Sequence, residues 1–141
     1  MSDPNCSTHH VGITVNDLEE TLSFYRDVLG LSVADRFAVS GEAFSSAVGV
    51  EDASAEFVHL DGEGVRIELV EYDPQARASA SAGLNQPGAS HVGLEVDDVD
   101  AFYEGLPDDV ATISEPQTTE TGSTILFVRD PEGNLVEFLE F

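Results

Sequence analysis

The alternation of apolar and polar positions changes period several times along the chain and marks out short strands and helices. Around His10-Val-Gly-Ile-Thr-Val the pattern has period two, as a half-buried strand does. From Asn16 the spacing widens: Leu18, Leu22, Tyr25 and Leu29 recur at three- and four-residue intervals, the stripe of an amphipathic helix. Asn16 is the expected cap of that helix, with Glu19 three residues on, and Gly30 its expected stop. Strand patterns follow over 31–39, 53–60 and 65–72, and Asp61-Gly-Glu-Gly64 forms a tight hairpin between the last two. The second half repeats the order. A strand from His91 precedes a shorter helix over 99–106, capped by Asp97 with Asp100 three residues on, and ended before Pro107. Strands are expected over 110–114, 123–128 and 135–141. Asp130-Pro-Glu-Gly-Asn134 is a turn in which Pro presets φ and Gly accepts a positive one.

The two halves are related by sequence as well as by order. His10-Val-Gly-Ile-Thr-Val-Asn-Asp-Leu-Glu returns as His91-Val-Gly-Leu-Glu-Val-Asp-Asp-Val-Asp, with His, Val, Gly, Val and Asp in register. The architecture expected is α+β: one domain over 1–141, made of two tandem βαβββ modules at about 8–72 and 89–141. The Ala-, Ser- and Gly-rich stretch 73–88 links them.

Composition narrows the setting. At 41% hydrophobic the chain can build a core, and no stretch approaches the ~20 apolar residues of a membrane helix. The start lacks the basic and apolar regions of a signal peptide, and the single Cys6 allows no internal disulfide, so a reducing cytoplasm is expected. The charge is extreme, with 28 Asp plus Glu against 5 basic residues, all arginine, for a net −23. Acids are spread along the chain, which fits a folded protein in a salt-rich cytoplasm, where molar salt shortens the Debye length to about 3 Å. Nucleic acid is excluded as a partner, since nothing here neutralises phosphates.

The repeat also carries the candidate chemistry. Each module has one His on its first strand, His10 and His91, and one Glu on its last, Glu68 and Glu137. A carboxylate set among apolar strand neighbours is costly to bury without a partner. Two imidazoles and two carboxylates supply one by holding a divalent ion such as Zn, Ni, Co, Mn or Fe, with positions left for water or substrate. His9 is expected on the opposite strand face to His10. His59 lacks a counterpart in the repeat, and both are assigned structural or surface roles.

These motifs, with Phe24-Tyr-Arg-Asp-Val-Leu-Gly-Leu31 and Asp130-Pro-Glu-Gly-Asn134, resemble the vicinal oxygen chelate superfamily of glyoxalases, bleomycin resistance proteins and extradiol dioxygenases. The resemblance implies paired modules whose sheet cups one divalent metal, a homodimer, a small-molecule substrate, and ligands at His10, Glu68, His91 and Glu137. The intact four-residue set implies a lyase or isomerase of the glyoxalase type. It would act on a small α-oxo or α-hydroxy carbonyl compound, or its thiol adduct, through an enediolate. Glu137 is the first choice as base and Glu68 its counterpart; the metal is Ni, Zn, Co or Mn. The alternatives are an Fe(II) extradiol dioxygenase, helped by Tyr72 or Tyr103, and a non-catalytic drug-binding protein. Thr14 stands where related glyoxalases carry a thiol-binding Arg, and Tyr72 where they carry Asn. Glu56 is a further candidate base, and Arg66 and Arg129 candidate carboxylate clamps.

Overall fold

The computed structural model describes residues 6–78 and 83–141. The first five residues, read above for a leader, and the middle of the linker lie outside that range. The chain divides into two compact units, 1–76 and 77–141, each built on one four-stranded mixed sheet.

In the first unit, strand β1 (His10–Thr14) leads into helix α1 (Leu18–Ser23), which runs on as a π-helical turn over Phe24–Val28. Strand β2 (Val33–Ser40), helix α2 (Glu42–Val48), strand β3 (Ser54–Asp61) and strand β4 (Arg66–Asp73) complete it. The sheet order is β1-β4-β3-β2, with β1 parallel to β4 and the others antiparallel. One face is covered by α1, which packs on β4. Leu18, Thr21, Leu22 and Tyr25 are buried there, as are the cross-strand pairs Val58–Leu69 and Leu60–Ile67. Each such side chain contributes roughly 1.5–3 kcal/mol by leaving water. The other face carries the site, next to an apolar cluster of Ala55, Phe57 and Val70 with Val39, Phe44 and Tyr72 against it.

The expected cap is displaced by one residue. Asp17, not Asn16, has the extended backbone of a cap, and its Oδ1 accepts the N–H of Glu20. Gly30 does end the helical segment, at φ 79°. Helix α2 has no expected counterpart because its stripe is short: Phe44 is half-buried against the apolar cluster while Val48 stays exposed. Its boundaries are Gly41 and Gly49, the latter left-handed at φ 71°. The hairpin at 61–64 forms as expected, with positive φ at Glu63 and Gly64.

The second unit holds strand β5 (Val92–Glu95), helix α3 (Val99–Glu104), and strands β6 (Gln117–Thr118), β7 (Thr124–Arg129) and β8 (Leu135–Glu140). Its order, β5-β8-β7-β6, repeats that of the first sheet, again with the first and last strands parallel. Helix α3 packs on β7 and β8, and the Phe102 ring stacks on Phe138 at 4.1 Å. Its cap is Asp98, again one residue past the expected Asp97, and it ends two residues short of Leu106. The expected strand 110–114 is reduced to one bridge, Thr112 to Val128. Pro116 follows, with no N–H to donate, and the edge strand resumes only at Gln117. The 130–134 turn is cross-braced: Asp130 Oδ1 accepts the N–H groups of Glu132 and Asn134, with Gly133 at φ 85°. No helix among the described residues is long and apolar enough to cross a membrane.

Candidate metal centre

Parallel pairing of first and last strands brings a His and a Glu together in each unit. In the first, Gly12 pairs with Glu68 and His10 with Arg66, so His10 and Glu68 share a face. His10 Nε2 lies 3.5 Å from Glu68 Oε2. In the second, Gly93 pairs with Glu137, and His91 Nε2 lies 3.3 Å from Glu137 Oε1. Each glycine lies directly beside its carboxylate: a Cβ on Gly12 would sit 3.4 Å from Glu68 Oε1, and on Gly93 3.8 Å from Glu137 Oε1, both ordinary contact distances.

Both glutamates are mostly covered, at 13% and 16% side-chain exposure, while His10 and His91 are open to solvent at 39% and 37%. A sheltered carboxylate beside a reachable imidazole suits a bound ion. Ligand atoms about 2.0–2.2 Å from a metal lie roughly 3.0–3.5 Å from one another, and both pairs have that spacing. Borderline nitrogen and hard oxygen donors together fit Zn, Ni, Co, Mn or Fe. Each pair therefore offers donors of the kind that hold such a divalent ion.

The first unit adds two histidines to the neighbourhood. His59, on β3, is directly across from Glu68 and is buried at 4% exposure. Its Nε2 is 2.7 Å from Glu68 Oε2, its Nδ1 is 3.3 Å from Arg66 Nη1, and Phe37 packs edge-on against its ring at 5.2 Å. Ligand atoms of His10, His59 and Glu68 all lie within 4.8 Å of one another. The signal for His59 was present in the sequence. The 61–64 hairpin pairs Asp61 with Arg66, and counting back along that register sets His59 against Glu68. His9 also corrects its expectation: its Nδ1 is 2.8 Å from His10 Nδ1, on the same side. It precedes the first residue of β1, so strand alternation does not govern it.

Other candidates fall elsewhere. Glu56 pairs with Glu71 on the helix-covered face of its sheet, opposite to His59 and Glu68. Arg66 contacts His59, and Arg129 donates to the Gly133 carbonyl at 3.3 Å within its turn. Thr14 and Tyr72 share the face of His10 and Glu68, Thr14 by pairing with Val70 and Tyr72 with Ala55. The Tyr72 ring stacks on Phe44 at 6.1 Å.

Residues 7–138 match the family model described as glyoxalase/bleomycin resistance protein/dioxygenase superfamily. Among similar proteins is a probable lactoylglutathione lyase of Synechocystis, 29% identical over 93% of this chain and 92% of its own. The human mitochondrial methylmalonyl-CoA epimerase is 29% identical over 92% of this chain and 70% of its own. A crystal structure of a glyoxalase family protein from Bacillus cereus superposes with a TM-score of 0.87 at 25% identity, covering 99% of this chain and 97% of that one.

Proposed function

The chain belongs to the glyoxalase/bleomycin resistance protein/dioxygenase superfamily, and from that membership we propose that it is a metal-dependent lyase or isomerase. Its substrate is a small α-oxo or α-hydroxy carbonyl compound, free or as a thiol adduct. The observation that carries the reading is the twice-repeated pair of an accessible His and a sheltered Glu at ligand spacing, 3.5 Å in one unit and 3.3 Å in the other. We propose His10, Glu68, His91 and Glu137 as the ligands of one divalent ion. The relatives named lactoylglutathione lyase and methylmalonyl-CoA epimerase point in the same direction.

When bound, the ion supplies Lewis-acid polarisation of the substrate oxygens, which acidifies the neighbouring C–H. Glu137 takes that proton and returns it to the adjacent carbon, with Glu68 as its counterpart. The apolar row of Phe57, Val70 and Tyr72 beside Glu68 receives the hydrocarbon part of the substrate. Thr14, neutral on the site face, recruits no thiol carboxylate, so a thiol other than glutathione, or none, is the expected adduct partner.

The test begins with metal content of wild type and Glu68→Ala purified in molar salt. One Ni, Co, Zn or Mn per chain, weakened by the substitution, is expected. Metal-loaded protein is then given a panel of α-oxo carbonyls, with and without thiols, in deuterated water. Exchange of the C–H beside the carbonyl should appear with at least one of them, and Glu137→Gln should slow it by about 10²–10⁴-fold while metal stays bound. Iron retained by Glu68→Ala would move the assignment to ring-cleaving oxygen chemistry. A wild-type chain that binds no divalent ion would leave a drug-binding protein.

A further inference from the structure

The two glutamates occupy equivalent positions but do not have equivalent neighbours. Across the antiparallel pair, Glu68 faces His59 and Glu137 faces Phe127. Phe127 cannot hydrogen-bond, and its ring packs on His91 at 5.1 Å. His59 is hydrogen-bonded on both ring nitrogens, and one partner is a guanidinium. Arginine has no acceptor and keeps its charge in proteins. The contact of Arg66 Nη1 with His59 Nδ1 therefore requires Nδ1 to be the accepting nitrogen, and a neutral imidazole then carries its proton on Nε2. That N–H, 2.7 Å away, donates to Glu68 Oε2.

We infer that half-buried Arg66 and buried His59 form a relay that sets the orientation of Glu68, and that His59 is a positioning residue and not a third metal ligand. This rests on the ligand assignment proposed above. A ligating His59 would need the Nε2 lone pair, which this tautomer lacks, although its nitrogen lies within the same cluster as His10 and Glu68. Oε2 keeps a second lone pair for an ion on the His10 side, 3.5 Å from Nε2. The consequence is an asymmetry: Glu68 is held by a buried imidazole across its strand pair, while Glu137 meets a phenyl ring there and lies 3.3 Å from His91 Nε2. Hydrogen-bond partners of metal ligands commonly account for 10–100-fold in metal affinity.

The tautomer is read first, by long-range proton–nitrogen NMR of the histidine rings in metal-free protein and again after adding zinc. His59 should show Nε2–H in both spectra. A proton on Nδ1, or loss of the Nε2 proton on adding zinc, would overturn the inference. The second measurement is nickel affinity by chelator competition for His59→Phe, which copies the other unit, and His59→Gln, which keeps a donor. His59→Phe should bind about 10–100-fold more weakly, and His59→Gln should stay at wild-type affinity, with circular dichroism checking that both fold. Wild-type affinity in His59→Phe, or equal loss in both, would sink the relay. If wild type binds no metal, the proposed function fails, and the metal-free spectrum still decides the relay.

Discussion

At the scale of single residues, four glutamates show how position decides role. Glu68 and Glu71 are three apart on β4, and Glu137 and Glu140 three apart on β8. An odd separation on a strand puts the members of each pair on opposite faces. Glu68 turns to His10 and Glu137 to His91. Glu71 and Glu140 turn to the helices, where their Oε1 atoms accept the N–H of Leu18 and of Val99, each at 2.9 Å. Those donors are first-turn groups with no partner inside the helix, and a carboxylate there also meets the positive end of the helix dipole. Glu71→Ala should therefore lower unfolding free energy by about 1.5 kcal/mol, the low end for a charge-assisted hydrogen bond because the group is partly exposed. Urea titration in molar salt checks this, and nickel affinity should be unchanged. An effect on affinity with no effect on stability would mean that Glu71 belongs to the metal centre. The sequence repeat exposed Glu68 and Glu137 as the glutamates set among apolar neighbours on the last strand of each module. It assigned no role to Glu71 and Glu140, whose partners are backbone N–H groups of helices far away in sequence.

At the scale of elements, legibility followed burial. Helix α1 and strands β3 and β4 put a full apolar row against the core, and the period-two and three-to-four patterns located them. Helix α2 is mostly exposed, with Phe44 half-buried, and 110–114 reaches its sheet through one bridge, so neither leaves a periodic trace that fits its structure. His59 was hidden for another reason: it breaks the repeat, and its meaning comes from hairpin register. Capping was legible only to within a residue. Asn16-Asp17 and Asp97-Asp98 each offer two adjacent capping side chains, and the extended backbone falls on the second, φ −128° at Asp17 and −148° at Asp98. Both accept from the N–H three residues on, at 3.1 and 3.0 Å. Asp17→Ala and Asp98→Ala should each cost about 1 kcal/mol of stability. The thermal midpoint of each variant, taken in the same salt, is the measurement, and a change within error for both would remove these residues as caps.

At the scale of the whole molecule, charge governs behaviour before any site does. Twenty-eight acids share five arginines, so pairing such as Arg26 with Asp27 and Arg36 with Glu19 leaves a net charge of −23 to be tolerated. Exposed pairs of this kind contribute little and cannot offset repulsion summed over the surface. Screening can. The Debye length falls from about 10 Å at 0.1 M to about 3 Å at 1 M, shorter than most separations between surface carboxylates. We propose that the fold is adapted to concentrated salt, and that the dependence on salt is electrostatic in origin. The thermal midpoint should rise steeply in potassium chloride up to about 1 M and more slowly beyond, since screening is nearly complete there. Replacing a set of exposed acids outside the His–Glu pairs, such as Glu42, Glu51, Asp108 and Asp109, by their amides should flatten the steep part while leaving the slow part in place. A midpoint independent of salt below about 1 M would remove repulsion as the cause. A rise of the same size in the amide variant would assign the effect to exclusion of salt from the protein surface.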